Sequence, residues 1–372
     1  MFTIGYDAKR AFNNGSGLGN YSRLLIESML AAYPENAYHL YTPRISADFE
    51  GWARQIGKQG AFVELPPKRL QRLFKSYWRT VSLGRQLPSK KIQLYHGLSH
   101  ELPFGLTSAK IKSVVTIHDL IFLRYPEYYP RVDRFFYERK IKQACHQADA
   151  IVAISEQTAN DLVKLLKVDA AKVEVIYQDC DPIFKQSTGE LQAAAPSSPY
   201  IFVAGSFEKR KNHLKILEAF AQLPEDRPRL LFAGKKSSYL NEMMSLAKKL
   251  GISQEIEVKG FVSKEELPTI YRNALFTVYL SEFEGFGLPV LESMSCGTPV
   301  LTANGSSLPE VGGDAALYAN ANDLDGIVMQ MRRLLYDEEL RAAAQNASLK
   351  QAAEFSHEKA AKQLYQLYTK LL

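Results

Sequence analysis

Short β-prone runs separated by helix-length segments recur along almost the whole chain, and this alternation limits the fold more than any other feature. In the first half, FTIGYD, YHLYT, FVEL, IQLYHG, VVTIHD, AIVAIS and VEVIY each gather Val, Ile, Tyr or Phe into a few residues. Helical patterns lie between most of them, including residues 19–33 and about 131–147. Strands that are apolar nearly throughout are buried on both faces, which predicts a parallel sheet with helices on either side. Residues 182–199, PIFKQSTGELQAAAPSSP, lose periodicity and collect Pro, Ser, Ala and Gly, the signature of a linker. Alternation restarts with YIFVAGS, RLLFAG, IEVKGF, LFTVYL and PVLTAN. Residues beyond about 322 read as helix, interrupted at FSHEK (355–359).

The expected fold class is therefore α/β, with two doubly wound Rossmann-like domains, 1–181 and 200–355, facing each other across a cleft. The length of 372 residues fits two cores of roughly 150–200 residues each. In open sheets of this kind, ligands bind beyond the carboxyl ends of the strands, so strand-end residues are the first place to look for chemistry.

Charge and cysteine content narrow the partners. A net charge of +6 suits an anionic ligand or an acidic surface without requiring nucleic acid. Cys145, Cys180 and Cys296 are widely spaced and form no CxxC pair, which fits a reducing compartment. The start, MFTIGYDAKR, lacks a basic region followed by an apolar core, and no apolar run approaches 18 residues. A cytoplasmic protein is expected.

The most informative stretch is EGFGLPVLESMSCGTPVL (284–301). A strand, LFTVYLS, leads through EFEGFG into a helix with Pro289 near its first position and Gly297 closing it. Backbone N–H groups at that positive helix end, those of Gly287 and Leu288 among them, form a seat for an anion such as a diphosphate. Glu284 and Glu292 beside such a seat are poor phosphate ligands but good acceptors for sugar hydroxyls. The plainer reading, in which Glu292 merely favours the helix start, leaves the glycines unexplained.

Other motifs stay two-sided. Gly15, Gly17 and Gly19 in NNGSGLGNYSR lack the GxGxxG spacing and strand-adjacent placement of a dinucleotide loop, which disfavours NAD. They read either as a plain loop or as amides that meet a phosphate or sugar. Lys209, Arg210 and Lys211 after YIFVAGS are either a solvated basic turn or a pyrophosphate clamp. His118 closes the strand VVTIHD, where a structural hydrogen bond competes with a role in the site. His96 and His100 raise the question of a metal, but no ligand spacing nearby supports one. No Asp-x-Asp loop offers itself to a nucleotide-bound metal ion, so no metal cofactor is expected.

These stretches resemble the retaining glycosyltransferases of the GT-B fold, family 4. EFEGFGLPVLESMSCGTPV is similar to the family's E-x7-E signature, and GSGLGNYSR, VVTIHDL, AIVAISEQTANDL, SFEKRKN and SSLPEVGGDAALY follow in the family's order. The resemblance covers nearly the whole chain, and within the family it is nearest to bacterial mannosyltransferases that use GDP-mannose for surface polysaccharide. It implies that Glu284 contacts donor-sugar hydroxyls and Glu292 the ribose. Gly285, Phe286, Gly287 and Leu288 would present amides to sugar and diphosphate, and Arg210 and Lys211 would stabilise the departing diphosphate. His118 would lie beside the donor sugar and Gly17 under the phosphates. The last helix, 356–372, would cross back onto the first domain. Where many relatives carry Gly-Arg after the first strand of the second domain, this chain has Gly205-Ser206, which shifts the phosphate charge onto Arg210 and Lys211.

Between Leu65 and His100 there are eight Lys or Arg and no acid. Within it, residues 68–83 place Leu70, Leu73, Phe74, Tyr77, Trp78 and Val81 on one helical face, with Arg69, Arg72, Lys75 and Arg79 elsewhere. A basic amphipathic helix of this kind seats on an anionic inner-membrane surface, where a lipid-linked glycan acceptor would be found; otherwise it covers core and exposes a solvated basic face. The rival functions are a transferase using a UDP-sugar, a sugar-nucleotide epimerase and a non-catalytic sugar-nucleotide-binding protein.

Overall fold

The structure is a computed structural model that describes residues 1–67, 77–186 and 198–372. It divides into two compact units, Met1–Gln178 with Ser356–Leu372, and Asp179–Phe355. Most of the expected linker, residues 187–197, and most of the basic amphipathic segment, residues 68–76, lie outside the described residues.

The first unit is built on a parallel sheet of β1 (Thr3–Asp7), β2 (Ala37–Tyr41), β3 (Phe62–Glu64), β4 (Leu94–Gly97), β5 (Lys112–Ile117), β6 (Ala150–Ala153) and β7 (Val173–Val175). Its order is β3-β2-β1-β4-β5-β6-β7. Helices α1 (Gly17–Ala32), α2 (Arg131–Gln147) and α3 (Glu156–Leu166) cover it. Both faces are buried, as the apolar strands require: Ile4, Tyr6, Val114 and Val152 pack on one side, and Val115, Ile117, Ile151 and Ala153 on the other. The C-terminal helix, His357–Leu371, belongs to this unit. Leu364, Leu367 and Tyr368 are buried with Ile26, Met29 and Leu30 of α1. Ser356 starts that helix by accepting the N–H of Lys359 at 3.0 Å, which explains the interruption at FSHEK.

The second unit repeats the plan with β8 (Tyr200–Ala204), β9 (Arg229–Ala233), β10 (Ile256–Gly260), β11 (Thr277–Tyr279), β12 (Val300–Ala303) and β13 (Leu317–Ala319), in the order β10-β9-β8-β11-β12-β13. The strand β13 has no counterpart in the sequence reading, because AALYA is short and small-sided. Helices α4 (His213–Ala221), α5 (Tyr239–Lys249), α6 (Leu288–Ser295), α7 (Leu324–Tyr336) and α8 (Glu338–Ala352) complete the unit. In both sheets the strand order reverses beside the first strand of the unit, between β1 and β4 and between β8 and β11. The carboxyl ends at those reversals are where open sheets place ligands.

One expectation is overturned. Arg79 does not lie on a solvated basic face; it is buried, and its guanidinium bonds Asp7 at 2.7 Å and also bonds Glu101. Burial opposes the charge, but Asp7 and Glu101 outweigh it and raise the guanidinium's pKa above its ordinary value. Two carboxylates beside the ends of β1 and β4 need a buried cation, and amphipathic periodicity cannot register that need.

Candidate active site

At the reversal in the second unit, the turn Lys209–Lys211 after β8 meets the loop after β11. Lys209 points outward, whereas the side chains of Arg210 and Lys211 are only 14% and 11% exposed. The loop fixes this turn: Glu282 N–H donates to the Arg210 carbonyl at 2.9 Å, and Arg210 itself donates to the Phe283 carbonyl at 2.5 Å. Both cations converge on Glu284. Arg210 reaches its Oε1 at 2.7 Å, Lys211 at 2.5 Å, and the Tyr279 hydroxyl donates to the same atom at 2.8 Å. Lys211 also sits over the Tyr279 ring, 4.9 Å from its centroid.

The charges follow from this packing. Burial alone would raise the Glu284 carboxyl, but Lys211 and Arg210 outweigh it and hold it at about 2. Burial pulls Lys211 below its ordinary value even though Glu284 works the other way. Arg210 is held above its ordinary value, Glu284 overcoming the burial. Two cations face one anion. The next acid, Glu208, is 3.6 Å from Arg210 and half exposed, so it screens weakly.

The loop then turns into α6. Gly287 has φ 115°, and a Cβ there would come within 2.8 Å of Leu308 Cδ2, so glycine is required on both counts. The N–H groups of Gly287 and Leu288 meet no acceptor among the described residues. Phe286 turns its ring against Phe355, edge to face at 5.8 Å. Ser306 accepts the Glu284 N–H at 3.1 Å, and Ser307 Oγ bonds the carbonyls of Glu284 and Phe286 at 3.0 and 2.7 Å. Glu292 is not in the cation cluster. It lies farther along α6, accepts from Tyr271 at 2.9 Å, and is pushed up by burial to about 7.

The remaining candidates belong to the first unit. His118 follows β5 and is 5% exposed; its Nε2 donates to the Leu98 carbonyl at 2.9 Å. Burial, then His100, pulls it down to about 3, so the ring is neutral and Nδ1 carries a lone pair. Tyr21 packs edge-on against it at 4.7 Å. A buried chain stands behind these rings: Tyr21 and His96 Nε2 both reach Thr116 Oγ1, and His96 Nδ1 reaches the Tyr368 hydroxyl of the C-terminal helix at 2.5 Å. His96 is thus committed to structure on both nitrogens. Gly17 opens α1 rather than preceding it, and its N–H and that of Leu18 meet no acceptor among the described residues. Beside His100 and Asp119 lies a cavity of about 230 Å³, bordered also by Arg10, Tyr129 and Tyr137.

Sequence reasoning missed Tyr279, Ser306, Ser307 and Tyr21. Tyr279 resembled another strand residue; its position at the last step before EFEGFG was the available signal. Among the described residues no three His, Cys, Asp or Glu come together as a metal-binding group.

Residues 190–351 match the family model described as Glycosyl transferases group 1, and residues 16–181 the model described as Glycosyltransferase Family 4. An O-antigen chain mannosyltransferase B from Escherichia coli is 30% identical over 373 residues, covering 95% of this chain and 96% of its own. A sucrose-phosphate synthase from Thermosynechococcus elongatus superposes with a TM-score of 0.79 at 20% identity, over 100% of this chain and 99% of its own. HepE from Anabaena, solved with UDP-glucose, superposes with a TM-score of 0.76 at 14% identity over 100% of both chains.

Proposed function

The chain belongs to the family 4 glycosyltransferases of GT-B fold, and we propose that it moves a hexose from a nucleoside diphosphate to a hydroxyl of a glycan or lipid-linked glycan, with retention and without a metal ion. Mannose from GDP-mannose, delivered in surface polysaccharide synthesis, is the preferred reading, supported by the mannosyltransferase relative. The observation that carries the donor site is the buried cluster with one cation in excess, Arg210 and Lys211 against Glu284, at the strand-order reversal. A diphosphate supplies the missing negative charge, and Gly287 and Leu288 add backbone donors at a helix N-terminus.

In this reading Glu284 Oε2 accepts a donor-sugar hydroxyl while Oε1 stays clamped. Glu292 takes the ribose hydroxyls, and Gly17 lies near the phosphates. His118, neutral, accepts a sugar hydroxyl at Nδ1. The bond from the anomeric carbon to the leaving phosphate oxygen breaks as the acceptor oxygen bonds on the same face. The acceptor's proton passes to that phosphate oxygen. Arg210 and Lys211 meet the charge that grows there. A lipid-linked acceptor would place the protein at the cytoplasmic face of an anionic membrane; no helix among the described residues is long and apolar enough to cross one.

Thermal unfolding with GDP, UDP, ADP and NAD, each in EDTA, tests this. A ligand at about 100 times its Kd adds about 2.7 kcal/mol. Stabilisation by GDP alone is expected, followed by mannose transfer with the α-configuration kept. A shift with UDP alone favours the second reading, a UDP-sugar donor, which the fold shared with the UDP-glucose complex of HepE supports. No shift with any nucleotide overturns the diphosphate site.

A further inference from the structure

We propose that the first two turns of α2 form a membrane-docking surface, an outward apolar stripe ringed by arginines that seats on a bilayer containing anionic lipid. The inference deepens the membrane-side acceptor reading above and rests on it.

A helix that covers a sheet turns its apolar face inward, and α2 does so only in its second half, where Ile141, Ala144 and Cys145 are buried. At about 100° per residue, Val132 lies half a turn round from Ile141, with Phe135 and Phe136 on either side of it. These three residues are 66%, 60% and 54% exposed. The Phe135 and Phe136 rings meet edge to face at 5.6 Å, forming one apolar surface. No core requirement explains aromatic residues there, because the sheet is already covered from the other side of the helix.

The charges around the stripe choose its occupant. Arg131 and Arg139 are exposed and have no ion-pair partner among the described residues, whereas Lys140 pairs with Glu101 and Lys142 with Glu138. Asp133 and Glu138 are the acids on these turns. A second copy meeting this face about a two-fold axis would bring the arginines against their own kind. Anionic headgroups pair with them instead, and the phenylalanines enter the acyl boundary, each basic residue and each buried ring adding to binding. Trp78 and Arg79, at the end of the basic segment, are buried and so unavailable to a membrane.

The test is sedimentation of the full chain with phosphatidylcholine vesicles, with and without about one third phosphatidylglycerol. Three proteins are compared: the parent, Phe135→Ser/Phe136→Ser, and Arg131→Gln/Arg139→Gln. The parent should bind the anionic vesicles, less at high salt. Both variants should bind at least about tenfold more weakly. Unchanged unfolding temperatures, expected for exposed positions, exclude misfolding. Equal binding by parent and variants overturns the proposal. So does light scattering that shows a parent dimer dissolved by the phenylalanine variant, which would make the face a contact between copies. Nucleotide stabilisation, measured on the same proteins, separates the two ideas. Its loss in all three would defeat the donor-site reading while leaving the vesicle result to judge the surface.

Discussion

Changing Glu284 to Gln keeps the shape of the cluster and removes its buried anion, leaving only the half-exposed Glu208 beside Arg210. The carboxyl is held at about 2 against an ordinary 4.5, which corresponds to about 3 kcal/mol of favourable interaction with its surroundings. Because the folded value is the lower one, that stabilisation is fully present above pH 4.5 and is lost as pH falls from there toward about 2. The variant should therefore be less stable than the parent by about 3 kcal/mol at neutral pH, within the range for breaking a buried pair. The gap should narrow in acid. A cluster left with two buried cations and only the half-exposed Glu208 nearby should also gain more from an anion. Urea unfolding at pH 7, with and without inorganic pyrophosphate and EDTA, measures both effects. Pyrophosphate is expected to restore the Glu284→Gln protein more than it stabilises the parent, and to do neither in Lys211→Met. Equal stability of parent and variant, or an equal pyrophosphate effect on both, would refute the charge argument. Sugar transfer by the variant should stay low even where stability is restored, because the hydroxyl acceptor is gone.

Three other outcomes follow from the same geometry. Lys211→Ala should lower turnover by an order of magnitude or more, since removing one donor to a growing negative charge costs roughly 10²–10³ in rate; a near-parent rate in steady-state assays would remove Lys211 from the site. Glu292 is pushed up to about 7, so its contribution is present below pH 4.5 and is lost as pH rises through 7. Glu292→Gln should thus gain on the parent as pH rises, by up to about 3 kcal/mol at pH 8 without nucleotide; a constant difference between their urea midpoints from pH 4.5 to 8 would contradict this. Tyr368→Phe should cost about 1–3 kcal/mol by leaving the buried His96 Nδ1 without its partner, and parent-like unfolding would show that the buried chain tolerates the gap.

Much of the architecture was legible because fully buried strands announce themselves as apolar runs. Twelve of the strands follow segments such as VVTIHD and YIFVAGS, and α2 coincides with the helix expected at 131–147. The strand β13 escaped because it is three residues long and three of the five residues in AALYA are Ala, which carries little β signal. The cluster of Glu284, Arg210 and Lys211 was half legible. The motifs gave its members, but that two cations share one carboxylate oxygen depends on β8 and β11 lying side by side, a fact of topology rather than spacing. Tyr279 and Ser306 act through that same neighbourhood. Arg79 shows the opposite failure: periodicity assigned it to solvent, while the buried acids Asp7 and Glu101 claimed it.

The placement of the C-terminal helix fixes an order of assembly. Residues 179–355 form a continuous insertion within the first unit, so during synthesis the whole second unit leaves the ribosome before Leu364, Leu367 and Tyr368 exist. The first unit must wait with Ile26, Met29 and Leu30 of α1 uncovered. The unit begun last is the one free to finish first. Removing Leu364, Leu367 and Tyr368 would therefore injure the fold at its beginning.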